Sequence, residues 1–195
     1  MPLLPIAVAG ILLAFAIGVI IYIVVNNKPA GPGPATAAGI PCDHLEQSTV
    51  HYHAAIQIIY DGTVHPIPAN IGITGDPASP TCYYWLHVHA GNPNTIHIES
   101  PAKDTFTLGQ FFAVWSTWSK ANGDAAQPLD ATHVSTFTLT AEQTLKVYID
   151  LQDGKGPQPY TGDPNAIVLK SREVISLVIS PPDTLPPAFT FANGL

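Results

Sequence analysis

Three short segments of this chain each carry two polar side chains, two residues apart, of the kinds that bind metal ions. They are His51 and His53, His87 and His89, and His97 and Glu99, which include five of the eight histidines. Side chains alternate along a β-strand, so both members of each pair share a face, while apolar residues dominate the opposite face. Because neutral imidazole is the commonest metal ligand, the pattern predicts one shared transition-metal site, with copper or zinc as the expected ion.

Other interpretations of these histidines stay open. A single His-x-His pair is often an ordinary surface feature, but three pairs on matching faces favour a metal. A blue-copper centre is not expected, because it needs a cysteine thiolate and usually a methionine, and the only methionine is Met1. The spacing of His87, His89, His97 and Glu99 partly matches a cupin, so a cupin-like metalloenzyme remains an alternative.

The elements that must position these residues are mostly strands. Strands are predicted where polar and apolar residues alternate or where β-branched and aromatic residues are frequent. Turn-forming residues, such as Asp-Gly, Gly-Asp and proline, separate these stretches. Thr107 is the predicted N-cap of one helix with apolar residues at helical spacing, which Asn122 and Gly123 end. The expected strands cover residues 50–60, 64–73, 82–89, 95–99, 135–139, 145–151 and 167–179. The predicted fold is a mainly antiparallel β domain with one packed helix, of β-sandwich, barrel or β-grasp-like type.

The chain before this domain predicts a membrane anchor. Residues 3–25 carry no charge and would span ~34 Å as a helix, against a hydrocarbon core of ~30 Å. A cleavable signal peptide is the alternative, but no basic residue precedes the run and the run exceeds the usual length. We therefore expect a transmembrane helix at 3–25, a Pro/Gly linker at 26–40, a β-rich domain at 41–180 and an extended Pro-rich tail at 181–195.

The charge balance and the cysteines indicate the compartment. All fourteen acidic residues follow Cys42, against six basic ones, which argues against nucleic acid as a partner. A disulfide between Cys42 and Cys82 would suit an oxidising compartment, although two free thiols are the alternative. Lys28 is the only basic residue near the apolar run, and by the positive-inside rule it weakly favours the alternative, a domain on the cytoplasmic side. We place the domain on the periplasmic or extracellular side of a prokaryotic plasma membrane, attached by a single span.

Several longer strings in the chain resemble a family of prokaryotic extracytoplasmic proteins of uncharacterised activity, often anchored by one N-terminal span. The strings are HYHA at 51–54, IPANIGI at 67–73, LHVH at 86–89, IHIES at 96–100 and FTLGQFF at 106–112. The similarity covers roughly residues 42–179 and implies a single β-rich domain with the histidine strands at its centre. The family's usual His-Thr-His-Asp is His-Val-His-Ala here, so Ala90 replaces a carboxylate.

These features together predict a membrane-anchored auxiliary subunit that binds copper or zinc in its extracytoplasmic domain and associates with a larger photosynthetic or respiratory membrane complex. A purely structural docking subunit without metal is one alternative, and the cupin-like enzyme is another. An enzymatic role is not favoured, because no nucleophile–base pairing or paired carboxylates can be argued from the spacing.

Overall fold

The computed structural model of the chain describes residues 17–19, 36–102 and 105–195. The predicted membrane helix at 3–25 and most of the linker at 26–40 therefore lie outside the described residues. In the part that is described, we find no helix with both the length and the apolar character needed to cross a bilayer. The chain divides into two units, Met1–Gly33 and Pro34–Leu195, and the described strands all belong to the second.

The described part of this second unit contains thirteen strands, one α-helix and one turn of 3₁₀ helix at Pro164–Ala166. In chain order the strands and the helix are β1 (Thr36–Ala37), β2 (Ile40–Asp43), β3 (Val50–Tyr60), β4 (Thr63–His65), β5 (Ile73–Asp76), β6 (Ser79–Tyr84), β7 (Leu86–His87), β8 (Thr95–Ser100), α1 (Leu108–Ala121), β9 (His133–Val134), β10 (Phe137–Thr138), β11 (Thr144–Asp150), β12 (Gln158–Tyr160) and β13 (Val174–Ser180).

A large central sheet has the strand order β12-β11-β13-β3-β8-β7, with β4 also pairing to β3. Its pairs are antiparallel except for β13 and β3, which run parallel. A smaller sheet has the order β1-β2-β6-β5, and β9 pairs with β10. The prediction of a mainly antiparallel β domain with one packed helix is confirmed.

Helix α1 begins where its capping residues predict. Thr107 accepts a hydrogen bond from the backbone N–H of Gln110, and the Gln110 side chain accepts one from the Thr107 N–H. This reciprocal capping satisfies two N–H groups that would otherwise lack partners at the helix start. Asn122 is the C-cap, as predicted. The helix buries an apolar stripe that includes Leu108, Phe111 and Trp115.

Both faces of the central sheet are covered, each by a different part of the chain. On the core face, Ile56 of β3 and Ile175 of β13 join the main hydrophobic cluster together with the apolar stripe of α1. On the opposite face, Ala55 and Val174 pack against Phe191 of the tail. We call this second face the histidine face, because strand alternation places His51 and His53 of β3 on it beside Ala55.

Four predicted strands differ from the observed ones. The stretch 82–89 is divided at Trp85 into β6 of the smaller sheet and β7 of the central sheet, and only Phe137–Thr138 of the stretch 135–139 forms a strand. The stretch 64–73 is divided into β4 and β5, since Pro66 and Pro68 follow β4 and have no N–H to continue a ladder. The stretch 167–179 becomes a strand only at Val174. A tight turn with Arg172 in a left-handed conformation (φ 61°) precedes that residue.

Candidate metal centre

Five of the six predicted ligands lie on three neighbouring strands of the central sheet, and the sixth, His89, follows β7 by two residues. Strand β8 is in the middle, and its His97 is directly opposite His53 of β3 on one side and His87 of β7 on the other. Glu99 is opposite His51 in the same pairing of β3 with β8. Directly opposed residues in a sheet have Cβ atoms about 4.5–5.5 Å apart, so this register brings the side chains together.

The arrangement yields two groups of side chains that could hold a metal ion. In the first, His87, His89, His97 and Glu99 each offer one donor atom, and all four atoms lie within 4.8 Å of one another. In the second, His51, His53 and His97 do the same. His97 therefore belongs to both groups. The six residues singled out from the sequence are brought together, and their role as ligands stays a prediction.

These side chains are more buried than strand alternation alone suggested. The imidazoles point away from the core face, yet His53, His87, His97 and Glu99 are all buried. Neighbouring rings cover one another, and a loop after β2 covers the end near His87. Only the edges are open: the side chain of His51 is 48% exposed and that of His89 is 32% exposed. Metal ions can reach the centre from these two edges.

The environment of His87 fixes which of its nitrogens can bind a metal. Its Nδ1 lies 2.8 Å from the backbone carbonyl oxygen of Tyr84. A carbonyl can only accept a hydrogen bond, so Nδ1 must carry the proton, and Nε2 of the neutral ring keeps its lone pair. Metal-binding histidines commonly donate their other N–H to a backbone carbonyl in this way. This Nε2 lies 3.1 Å from Nε2 of His89, within hydrogen-bond distance.

Glu46 also reaches the centre, although nothing in its spacing distinguished it in the sequence. It lies in the segment between β2 and β3, and its Oε1 is 2.9 Å from Nε2 of His89 and 3.6 Å from Nε2 of His87. This segment begins beside Cys42, which forms the predicted disulfide with Cys82 of β6. The disulfide therefore ties the segment that carries Glu46 to the strand that leads into β7.

The protonation states of the clustered histidines favour the binding of a cation. Burial, followed by the neighbouring His97 and His51, lowers the pKa of His53 from 6.5 to about 4. Burial and the adjacent His87 also lower the pKa of His89. These rings are therefore neutral near pH 7, which is the form that binds metal.

The two carboxyl groups complement these neutral rings. The close approach of His87, followed by that of His89, lowers the pKa of Glu46 against the opposing effect of burial. For Glu99, burial raises the pKa, but the hydrogen bond with His97 and the nearby His87 and His51 outweigh it, so the net shift is downward. Both carboxylates are therefore ionised near pH 7. Neutral imidazoles beside two negative carboxylates form a donor set with the charge to bind a divalent cation.

Two buried side-chain nitrogens in the described part of the chain have no hydrogen-bond partner: Nε2 of His97 and Nε1 of Trp115. A buried polar atom without a partner costs free energy, so each requires a physical explanation. The Trp115 nitrogen is a donor only and cannot bind a cation. The His97 nitrogen can, because an imidazole ring offers a lone pair, and His97 is at the centre of the cluster.

The remaining three histidines lie elsewhere. Nδ1 of His44 is 2.9 Å from the Thr81 carbonyl oxygen. His65 packs against the ring of Phe137, and His133 lies 3.4 Å from Asp130. None of the three belongs to either metal-competent group.

Comparison of the chain with protein-family models, with curated proteins and with solved structures finds no match. The similarity of its motifs to the extracytoplasmic family therefore stays a prediction. The chemistry of the residues themselves is the basis for a functional assignment.

Proposed function

We propose that the domain binds a transition metal through the histidines of β3, β7 and β8 and through His89, together with Glu99 and Glu46. The observation that carries this proposal is the hydrogen bond from His87 Nδ1 to the Tyr84 carbonyl oxygen. It leaves the lone pair of the buried Nε2 facing a second imidazole and a carboxylate. Both groups that this nitrogen faces are themselves potential metal donors.

Zinc and copper(II) are the ions that fit this donor set. All the donors are imidazole nitrogens or carboxylate oxygens, which suit these ions, whereas copper(I) prefers thiolate and thioether ligands. Both cysteines are in the disulfide, and the sequence has no methionine after Met1.

We propose a holding or delivery role for this metal in preference to catalysis. Three cavities of about 540–670 Å³ lie on the domain, and none of the five clustered histidines lines any of them. A metalloenzyme of cupin type needs a substrate pocket above its metal, and these three cavities do not supply one, which supports a binding role. A docking subunit without metal remains the second candidate, and the apolar segment at 3–25 supports it equally well.

We further propose that the domain is tethered to a prokaryotic membrane on its outer side, as an auxiliary subunit of a larger membrane complex. The uncharged run at 3–25 supports the tether. The disulfide supports an oxidising compartment. Co-purification of the full chain with membrane complexes from its source, with the tail 181–195 present or deleted, tests the association.

The metal is tested by elemental analysis of the full chain, purified in mild detergent without chelator, beside His87→Ala and the matched control His133→Ala. We expect stoichiometric zinc or copper in the wild type and the control. We expect a loss of affinity of more than about tenfold in His87→Ala, because a direct ligand matters at least as much as a supporting residue. A folded, metal-free wild type, or equal effects of the two substitutions, would contradict the proposal.

A further inference from the structure

His97 occupies the middle of the cluster and is flanked by two pairs of histidines. Its ring centroid is 4.4 Å from that of His53 and 4.5 Å from that of His89. His51 accompanies His53 on one side, and His87 accompanies His89 on the other. Each pair has a carboxylate beside it, Glu99 near His51 and Glu46 near His89.

On the first side, four donor atoms form a closed ring of contacts. Nε2 of His51 is 3.1 Å from Nε2 of His53, which is 3.2 Å from Nδ1 of His97. That Nδ1 is 3.5 Å from Oε1 of Glu99, which returns to His51 at 3.2 Å. Two donors bound at about 2.0–2.1 Å to a tetrahedral zinc ion are about 3.3–3.4 Å apart. These four observed spacings of 3.1–3.5 Å match the distance between neighbouring ligands of one ion.

On the second side, three donors show the same spacing. Nε2 of His87 and Nε2 of His89 are 3.1 Å apart, and Oε1 of Glu46 lies 3.6 Å and 2.9 Å from them. A fourth donor is needed to complete a tetrahedral set. Glu99 also offers a donor atom within 4.8 Å of those of His87 and His89, but its Oε1 already contacts His51 on the first side. Nδ1 of His97 already faces His53, so the nitrogen left for this side is its Nε2, which is buried and has no hydrogen-bond partner.

We propose that the cluster is a two-metal centre in which His97 is a ligand shared by both ions. This inference rests on the proposed metal-binding function and deepens it. Nδ1 of His97 binds the ion held by His51, His53 and Glu99, and Nε2 binds the ion held by His87, His89 and Glu46. The shared ring is an imidazolate, so its remaining N–H proton passes to solvent when the second ion binds.

The number of ions per chain tests this directly. Full-length chain in mild detergent is loaded separately with zinc and copper(II), and bound metal is measured after removal of excess. The variants are His51→Gln/His53→Gln, which removes the first side, and His87→Gln/His89→Gln, which removes the second. His44→Gln/His133→Gln is the matched control that removes two histidines outside the centre. Circular dichroism confirms that each variant is folded.

We expect two ions per chain in the wild type and the control, and one ion in each of the other variants. A wild type that binds a single ion, retained by His51→Gln/His53→Gln, would overturn the two-metal centre and leave the proposed function intact. A wild type that binds no metal would instead refute the proposed function itself.

The shared ligand has its own readout in the copper(II)-loaded protein. Two copper(II) ions joined through one imidazolate couple their unpaired electrons, so the paramagnetic resonance signal per ion is strongly reduced. We expect this reduction in the wild type and the control, and the full signal per ion in each single-sided variant. Two bound copper ions with full, uncoupled signals in the wild type would overturn the sharing of His97.

Discussion

The two faces of strand β8 are both buried, but their side chains are chemically opposite. On the core face, Ile96 and Ile98 pack into the main hydrophobic cluster. On the histidine face, His97 and Glu99 are almost as inaccessible to solvent, yet they contact other titratable side chains and one buried nitrogen has no partner. Burial of the aliphatic residues stabilises the fold outright, whereas burial of imidazoles is costly until a ligand satisfies them. Burial alone therefore does not distinguish a structural face from a functional one.

Ile98→Ala should give the largest difference between the two faces, because it should lower stability without changing metal affinity. Removing this buried side chain from the core face should lower the free energy of unfolding by about 2–5 kcal/mol, because it leaves a cavity. Urea unfolding with chelator and with saturating zinc measures the loss, which should be the same in both. The milder Ile98→Val should cost only about 0.5–1.5 kcal/mol. A loss of metal affinity in these variants would show that the faces are not independent.

A second test uses pH on the histidine face. The pKa of His53 is lowered to about 4 in the folded chain, so the unfolded chain takes up this proton first as pH falls. The chelator-treated protein should therefore lose up to about 3 kcal/mol of stability from this group as pH falls from 6.5 to 4. Unfolding measured across this range should show a shallower decline in His53→Gln. An unchanged slope would contradict the burial of a neutral ring at this position.

On the core face, the carboxyl group of Glu173 should make stability change with pH in the direction opposite to that of His53. Glu173, just before β13, is buried beside a cavity of about 630 Å³ that Ile149 and Ile167 also line. Burial raises the pKa of Glu173 to about 7, against the hydrogen bond that it accepts from the Lys170 N–H. The folded chain therefore binds the carboxyl proton of Glu173 more tightly than the unfolded chain does. The stabilising effect is complete below pH 4.5, and up to about 3 kcal/mol is lost as pH rises through 7.

The variant Glu173→Gln isolates this contribution. Relative to the wild type, it should gain stability steadily between pH 4.5 and 7, and the difference should level off above that range. Equilibrium unfolding of both proteins at several pH values measures the difference. A stability difference that does not vary with pH would mean that the carboxyl group is ionised in the fold.

The smallest expected effect comes from the start of helix α1. Thr107→Ala removes the hydroxyl that accepts from the Gln110 N–H and should destabilise the protein by about 1 kcal/mol. Thr107→Ser keeps that acceptor and should restore most of the loss. Metal content should be unchanged in both, because this helix packs on the core face.

Much of the architecture follows from local sequence signals. The cap at Thr107, the helix end at Asn122 and most strands depend on neighbouring residues, so the sequence predicts them. The two cysteines of the sequence also predict the disulfide. Strand alternation grouped the six candidate ligands because the period of two holds wherever a strand is regular.

Other features depend on contacts distant in sequence. The parallel pairing of β3 with β13 has no local signal, because the two strands are joined by more than a hundred residues of other structure. Glu46 lies in an irregular segment, where the spacing of residues does not indicate which way a side chain points. The burial of the histidine face could not be predicted either, since it arises from rings on three strands and from a separate loop.

The pairing of β3 with β13 also imposes an order of events during protein synthesis. The strands and loop that supply the proposed metal ligands lie within residues 46–99, so they leave the ribosome together and well before β13. Contacts so distant in sequence form late, and until then one edge of β3 has unpaired backbone groups. We expect the nascent chain to be most prone to aggregation in this interval, and early metal binding would help to hold the unfinished sheet together.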